Sequence, residues 1–238
     1  MYLLRCDSFN GVKAWHREGT TDAATLRGAL VLRNYRKRSV KFDVERGERW
    51  LDLGANVGAF ALYCWQRGAV AECYEPDAEN FAILAKNVGD NKEFKLHQAA
   101  VSHCTMPQLA FYTVPDKNNF QRGSLFHVGK FKTMVTNVHA AKLAQERFDG
   151  VKWDIEGAEF GLIDRKLLPN TRKLVLEYHT SRDDSMAALA RRLAILQSHF
   201  QHVAYPSEFN GMLQQGGRRR SWYDRLIFCW NDNDSPLR

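Results

Sequence analysis

Trp50-Leu51-Asp52-Leu53-Gly54-Ala55-Asn56-Val57-Gly58-Ala59-Phe60 reads as a short apolar strand that breaks into a glycine-bearing turn and runs straight into a helix. Glycine at 54 and 58 lets the backbone approach a ligand closely, and the start of the helix offers N–H groups without partners. In an α/β sheet this marks a nucleotide-type crevice at the carboxyl end of the strand. Twenty-one residues after Gly54, at the end of a second apolar strand, stands Glu75, where a carboxylate can accept hydrogen bonds from both hydroxyls of a ribose.

Strand-length apolar runs alternate with segments of helical period around this turn, the pattern of βαβ units and a mainly parallel sheet. Strands are expected at Trp50–Leu53, Val70–Tyr74, Phe94–Val101, Val151–Ile155 and Leu174–Tyr178, with a short one at Gln108–Thr113. Helices are expected at Val57–Gln66, at Asp77–Val88 behind an acidic N-cap, and at Val138–Phe148. A strongly amphipathic one covers Met186–Phe200, with Leu189, Leu193, Leu196 and Phe200 at three- and four-residue intervals. His202–Tyr205 and Leu226–Trp230 are expected to pair antiparallel through a Gly211–Gly217 loop and close one sheet edge. Pro115–Gly123 reads as a mobile polar loop. The division expected is one domain over 1–238, with a cap or substrate segment at 1–45, made of helices over the open side of the site, and a core at 46–238.

With 238 residues, 45% of them hydrophobic, the chain can bury a large core. The longest apolar run, Ala59–Trp65, is far too short to span a bilayer, and Met1–Asn10 lacks the layout of a signal peptide, so a cytoplasmic protein with no membrane span is expected. The five cysteines are scattered and form no C-x-x-C pair, so neither a disulfide framework nor a zinc site is suggested. Net charge is +7, and Met1–Arg49 holds eleven basic residues against six acidic ones, with Arg33, Arg36, Lys37, Arg38 and Lys41 together. Arg218-Arg219-Arg220 forms a second basic run. Such runs attract nucleic acid, anionic glycan or an anionic membrane surface, or simply form a solvated face.

A dinucleotide site wants G-x-G-x-x-G so that a pyrophosphate can rest on the turn; here only Gly54 and Gly58 are present, beside the acidic Asp52. S-adenosylmethionine carries no phosphate and brings an ammonium and a sulfonium, which suit a carboxylate-bearing turn. Leu51-Asp52-Leu53-Gly54-Ala55-Asn56-Val57-Gly58, then Tyr74-Glu75-Pro76-Asp77, Lys86-Asn87-Val88 and Ala99-Ala100-Val101-Ser102 resemble successive motifs of class I methyltransferases of the FkbM type. Lys152-Trp153-Asp154-Ile155-Glu156-Gly157-Ala158-Glu159 resembles that family's fourth-strand signature and Leu176-Glu177-Tyr178-His179 the end of its fifth strand. Trp153 departs from the pattern, which usually has a smaller aliphatic residue there.

The resemblance implies a Rossmann-like α/β fold: a mostly parallel seven-stranded sheet with an antiparallel edge hairpin and helices on both faces. It implies S-adenosylmethionine as cofactor, with Gly54, Ala55, Asn56 and Gly58 along the methionine moiety and Glu75, with Pro76 beside it, at the ribose. Ala100, Val101 and Ser102 would lie beside the adenine, and Asp52 would face the ammonium directly or through water. It further implies O-methylation of a carbohydrate or other small acceptor. An RNA 2′-O-methyltransferase, or a basic cofactor-binding partner protein without catalysis, stands as the alternative suggested by the charge.

Methyl transfer to an alcohol needs alignment and a base or metal to act on the hydroxyl. Asp154 and Glu156 end the fourth strand, Glu159 follows one turn later, and Glu177 and His179 end the fifth. Either His179 or Asp154 acts as general base, with Glu156 on the face of Asp154; or Asp154 with Glu177 binds a divalent cation such as magnesium; or Asp154 orients the acceptor. The base reading is favoured. Trp15, Tyr35, Phe120, Trp222 and Tyr223 are loop aromatics that can stack on a sugar ring, or core residues, the commoner fate of aromatics.

Overall fold

The computed structural model describes residues 2–40, 42–113, 123–125, 131–179, 185–206, 209 and 224–232. The chain opens with an antiparallel hairpin, β1 (Leu4–Phe9) and β2 (Val12–Arg17), followed by helix α1 (Asp22–Leu30). A hairpin and one helix thus stand where a cap made of helices was expected, and α1 does wall the open side of the site. Asn10 and Gly11 take φ of 50° and 83°, the two-residue turn whose twist matches that of paired strands. Val12, Ala14 and His16 then alternate inward along β2.

From β3 (Arg49–Leu53) the chain passes through α2 (Ala59–Arg67), β4 (Val70–Tyr74), α3 (Ala78–Val88) and β5 (Lys95–His97). Asp77 caps α3 as expected, accepting hydrogen bonds from the N–H groups of Glu79 and Asn80, both at 2.9 Å. A smaller sheet follows from β6 (Ala100–Ser102), β7 (Gln108–Thr113), β8 (Gly123–Ser124) and β9 (Phe131–His139). The remaining elements are α4 (Ala140–Ala144), β10 (Phe148–Trp153), α5 (Glu159–Asp164), β11 (Thr171–His179), α6 (Met186–His199), β12 (His202–Ala204) and β13 (Asp224–Trp230).

The main sheet has seven strands in the order β12-β13-β11-β10-β3-β4-β5. It is parallel from β11 to β5 and antiparallel where β13 joins β11 and β12, so the expected edge hairpin is present. The chain leaves β3 toward β4 and β5 and returns to β10 on its other side. Ligands of open α/β sheets bind outside the strand ends where the order reverses in this way. Side chains alternate across the sheet: Trp50 joins the core under α1, α2 and α3, and Leu51 and Leu53 join the core under α5 and α6. Leu189, Leu193, Leu196 and Phe200 are buried in the second core, as their spacing predicted.

Two expected elements are broken up. Phe94–Val101 is not one strand, because Ala99 N–H turns back to the carbonyl of His97 (3.0 Å); β5 then pairs with β4, and β6 pairs with β9 in the smaller sheet. Only Ala140–Ala144 of the expected Val138–Phe148 helix is helical. The residues before it, including the β-branched Thr133, Val135, Thr136 and Val138, complete β9, and His139 starts the helix by accepting from Ala141 N–H (3.3 Å). The Gly211–Gly217 loop, residues 115–122 of the expected polar loop with Phe120 among them, Arg218–Arg220, Trp222 and Tyr223 lie outside the described residues. Among the described residues no helix is long and apolar enough to cross a membrane.

Asn87 ties the hairpin to the turn at Gly54. Its amide accepts from Trp15 N–H (2.7 Å) and donates to the carbonyls of Trp15 (3.1 Å) and Val57 (2.7 Å). Asn87→Ala is expected to cost about 2 kcal/mol, at roughly 1 kcal/mol per part-buried hydrogen bond with partial replacement by water. A thermal melt should show it as a drop of several degrees.

Candidate active site

The turn after β3 is held tightly. Gly54 has φ 77°, and a Cβ there would lie 1.8 Å from the carbonyl oxygen of Asp154, so the ends of β3 and β10 touch through glycine alone. Every N–H of the turn is engaged. Those of Gly54 and Ala55 donate to the Tyr74 carbonyl (2.9 and 3.0 Å), and that of Asn56 to Glu75 Oε2 (2.7 Å). Val57 N–H donates to Asn56 Oδ1 (2.7 Å) and Gly58 N–H to the Ala55 carbonyl (2.8 Å). The turn itself, from Gly54 to Gly58, therefore keeps no N–H for a phosphate.

Two cavities flank the turn. The first is a narrow cleft of about 50 Å³ walled by Gly54, Asn56, Glu75, Pro76, Ala100 and Val101, with Phe111 and Leu125 leaning in from the smaller sheet. Glu75 is buried; its Oε1 accepts from Asp77 N–H (2.9 Å), and desolvation raises its pKa to about 7. The second cavity, about 260 Å³, lies between the N-terminal segment and the sheet, where Thr25, Asn34 and Tyr35 face Ala55, Lys152 and Glu177. Asn56, Asp154 and Glu156 wall both cavities.

The structure therefore brings together Gly54, Ala55, Asn56, Glu75, Pro76, Ala100, Val101, Asp154, Glu156 and Glu177 on cavity walls. Gly58, Ser102 and Asp52 lie elsewhere. Gly58 packs on Leu84, and Ser102 donates its hydroxyl to Asn137 Oδ1 (2.9 Å). Asp52 is fully buried beneath the turn. Trp153 is buried on the opposite face with Leu51 and Leu53, so its bulk fills core and forms no wall of either cavity. Of the aromatics, Tyr35 walls the second cavity, and Trp15 sits under the Lys86 ammonium, 4.0 Å from its ring centre.

Lys152 and Glu159 were given no part in the chemistry from the sequence. In the β3–β10 register Lys152 stands beside Asp52. Its Nζ donates to the Gly54 carbonyl (2.7 Å) and lies 3.2 Å from Asp52 Oδ1 and 3.4 Å from Asp154 Oδ2. Burial opposes its charge, but the carboxylates of Asp52 and Asp154 outweigh this and hold its pKa well above the ordinary lysine value. Glu159, also fully buried, accepts from the Nδ1 of His179 (3.0 Å), whose Nε2 lies 3.7 Å from Asp154 and 3.5 Å from Glu156. Burial likewise opposes a charge on His179, and Glu159, Glu156 and Asp154 together raise its pKa well above the usual value. The available signal was a lysine inside an apolar strand facing an aspartate, since a lysine is almost never buried unpaired.

Asp154, Glu156 and His179 each present one atom within 4.8 Å of the others, a span a cation could bridge; Glu177 does not join them. The donor set fits a resident cation poorly. Lys152 already stands against Asp154, so an ammonium occupies the place where a cation would share that carboxylate.

A family model described as the methyltransferase FkbM domain matches residues 52–212. No curated protein matches the chain. Among solved structures it is similar to Pyrococcus horikoshii TYW2 in complex with MeSAdo, at TM-score 0.48 and 11% identity over 96% of this chain and 72% of that one. It is also similar to the Pyrococcus abyssi tRNA (uracil-54, C5)-methyltransferase in complex with S-adenosyl-L-homocysteine, at TM-score 0.48 and 13% identity over 95% and 43%. Aeropyrum pernix fibrillarin with natively bound S-adenosyl-L-methionine gives TM-score 0.43 and 15% identity over 96% and 83%.

Lys152→Met leaves the buried Asp52 carboxylate without its cation and is expected to cost roughly 3–5 kcal/mol, the usual result of removing one member of a buried pair. The urea midpoint should fall accordingly, and Asp52→Asn added to Lys152→Met should recover much of the loss.

Proposed function

The chain belongs to the FkbM methyltransferase domain family, and from that premise we propose that it transfers the methyl group of S-adenosylmethionine to a hydroxyl oxygen of a sugar or related small acceptor. The observation that carries this reading is the pair of cavities meeting at Asn56, Asp154 and Glu156. A donor held in one reaches an acceptor in the other beside a carboxylate.

The residues of the first cavity fit the cofactor. Both Glu75 oxygens accept one backbone N–H and keep lone-pair capacity for ribose hydroxyls. Ala100, Val101 and Phe111 offer an apolar wall to a purine. A turn with all its N–H groups engaged suits a cofactor without phosphate, and Asp154 and Glu156, rather than the covered Asp52, face its positive end. When bound, S-adenosylmethionine supplies a methyl carbon activated by positive sulfur, to which the acceptor oxygen bonds as the carbon–sulfur bond breaks and its electron pair stays on sulfur. Asp154 takes the hydroxyl proton. Thr25, Asn34 and Asn56 offer hydrogen bonds to neighbouring hydroxyls, and Tyr35 offers an aromatic face, so the acceptor is aligned as well as deprotonated.

Calorimetric titration with S-adenosylhomocysteine should show saturable binding, and NAD none. Ribose binding needs the Glu75 carboxylate, so affinity should fall as pH drops through about 7, and Glu75→Ala should weaken binding and abolish that dependence. A pH-independent affinity would remove Glu75 from the ribose site. Asp154→Asn should leave cofactor affinity within a few-fold while lowering kcat by about 10²–10⁴, the range of general base catalysis. Methylation of RNA but of no glycoside, with binding that falls steeply with salt, would replace the sugar acceptor by RNA.

A further inference from the structure

We propose that Glu159 is a positioning residue of the transfer site, acting through His179 to fix Asp154 and Glu156, so that Asp154 rather than His179 accepts the hydroxyl proton. The proposal rests on the methyl-transfer reading above and assigns the proton within it.

Glu159 begins α5, where a carboxylate would ordinarily satisfy N–H groups of its own first turn. Its contacts run elsewhere. Oε2 accepts from Gly157 N–H (2.7 Å) in the loop after β10, and Oε1 accepts from both the backbone N–H (3.0 Å) and the Nδ1–H (3.0 Å) of His179 on β11. One buried side chain thus fastens the end of β11 to the loop that carries Asp154 and Glu156. Because Nδ1 is committed to Glu159, the ring is fixed with Nε2 toward Asp154 Oδ1 and Glu156 Oε2. At 3.7 and 3.5 Å these are ion-pair separations rather than close hydrogen bonds. Glu156 has φ 50°, a conformation few non-glycine residues adopt, so its carboxylate is placed by a constrained backbone and met there by the ring.

Among the described residues the charged groups at His179 are acidic: Glu159 faces it from α5, Asp154 and Glu156 from the preceding loop, and Glu177 stands two residues back on β11. Lys152 lies on the far side of Asp154. A carboxylate–histidine pair serves as a general base in hydrolases because only one side of the ring is acidic, so the imidazole is neutral and Nε2 has a free lone pair. Here two carboxylates also face Nε2 and favour the protonated ring, and His179 lines neither cavity, whereas Asp154 walls both.

The test joins an imidazole titration followed by nuclear magnetic resonance to the pH dependence of kcat, in the full chain, with His179→Gln identifying the His179 signal. In the wild type His179 should stay protonated through neutral pH, and the alkaline fall of kcat toward a methyl glycoside should follow the loss of the His179 proton. Glu159→Gln keeps the side-chain size but removes the charge. It should move the His179 titration and the alkaline fall down together by about one pH unit or more, the usual effect of a neighbouring opposite charge. Its kcat should drop more than its acceptor KM rises, and Glu159→Asp should restore part of the loss. EDTA should leave the rate unchanged. A rate that rises as His179 deprotonates, an unmoved His179 titration in Glu159→Gln, or a loss in EDTA restored by magnesium would each overturn the proposal. If no glycoside is methylated, the acceptor reading fails, and the resonance titration still decides whether Glu159 governs His179.

Discussion

The Lys152 ammonium holds the floor of the site together. It donates to the Gly54 carbonyl and lies between Asp52 and Asp154, so one charge joins the last residues of β3, the turn that follows and the end of β10. Burying a lysine beside two carboxylates is costly, and the arrangement persists only where the geometry is good. The parallel register supplies that geometry by setting Asp52 beside Lys152, and Gly54 completes it by leaving room for the Asp154 carbonyl. The position of Asp154 is therefore a property of the sheet rather than of a loose loop. On the proposed reading, a group that must meet a hydroxyl in line with a departing sulfur needs that fixity.

The same arrangement explains which ligand charge the site accepts. Asp52, Glu75, Asp154, Glu156, Glu159 and Glu177 converge on the strand ends, with Lys152 and His179 among them. The turn offers an anion nothing, because its N–H groups are bonded within the protein. A cofactor with a positive sulfur and an ammonium complements such a place, and a pyrophosphate does not. The chain as a whole carries +7, so net charge describes its surface and says little about this site.

The core was legible because its signals are local. Strand, glycine turn, helix and second-strand acid fall within about thirty residues, and each has its own pattern in the sequence. Of the smaller sheet only β7 was legible, because β6 and β8 are only three and two residues long and owe their existence to a distant partner in β9 and in β7. The N-terminal hairpin does have a local signal in the Asn10-Gly11 pair, a strong two-residue turn, and a helical cap is the weaker reading beside it. At the site, Gly54, Asn56, Glu75 and Asp154 could be placed from the strand ends. The partners of Lys152 and Glu159 could not, because register and the packing of α5 decide what a buried charge meets.

The N-terminal segment connects these parts in a way that bears on acceptor choice. Arg17, paired with the fully buried Asp22, also donates to Asn80 Oδ1 (2.7 Å), and Asn80 walls the first cavity. Thr25, Asn34 and Tyr35 of the same segment wall the second. The residues matched to the FkbM domain begin at Asp52, so the residues proposed to hold the cofactor lie inside the shared core, while six of the fourteen that wall the second cavity lie outside it. A core that fixes Asp154 by sheet register can serve many hydroxyls if the segment ahead of it changes. Here that segment is docked on α3 by Asn87 and on Asn80 by Arg17, so the wall of the second cavity is built against the first.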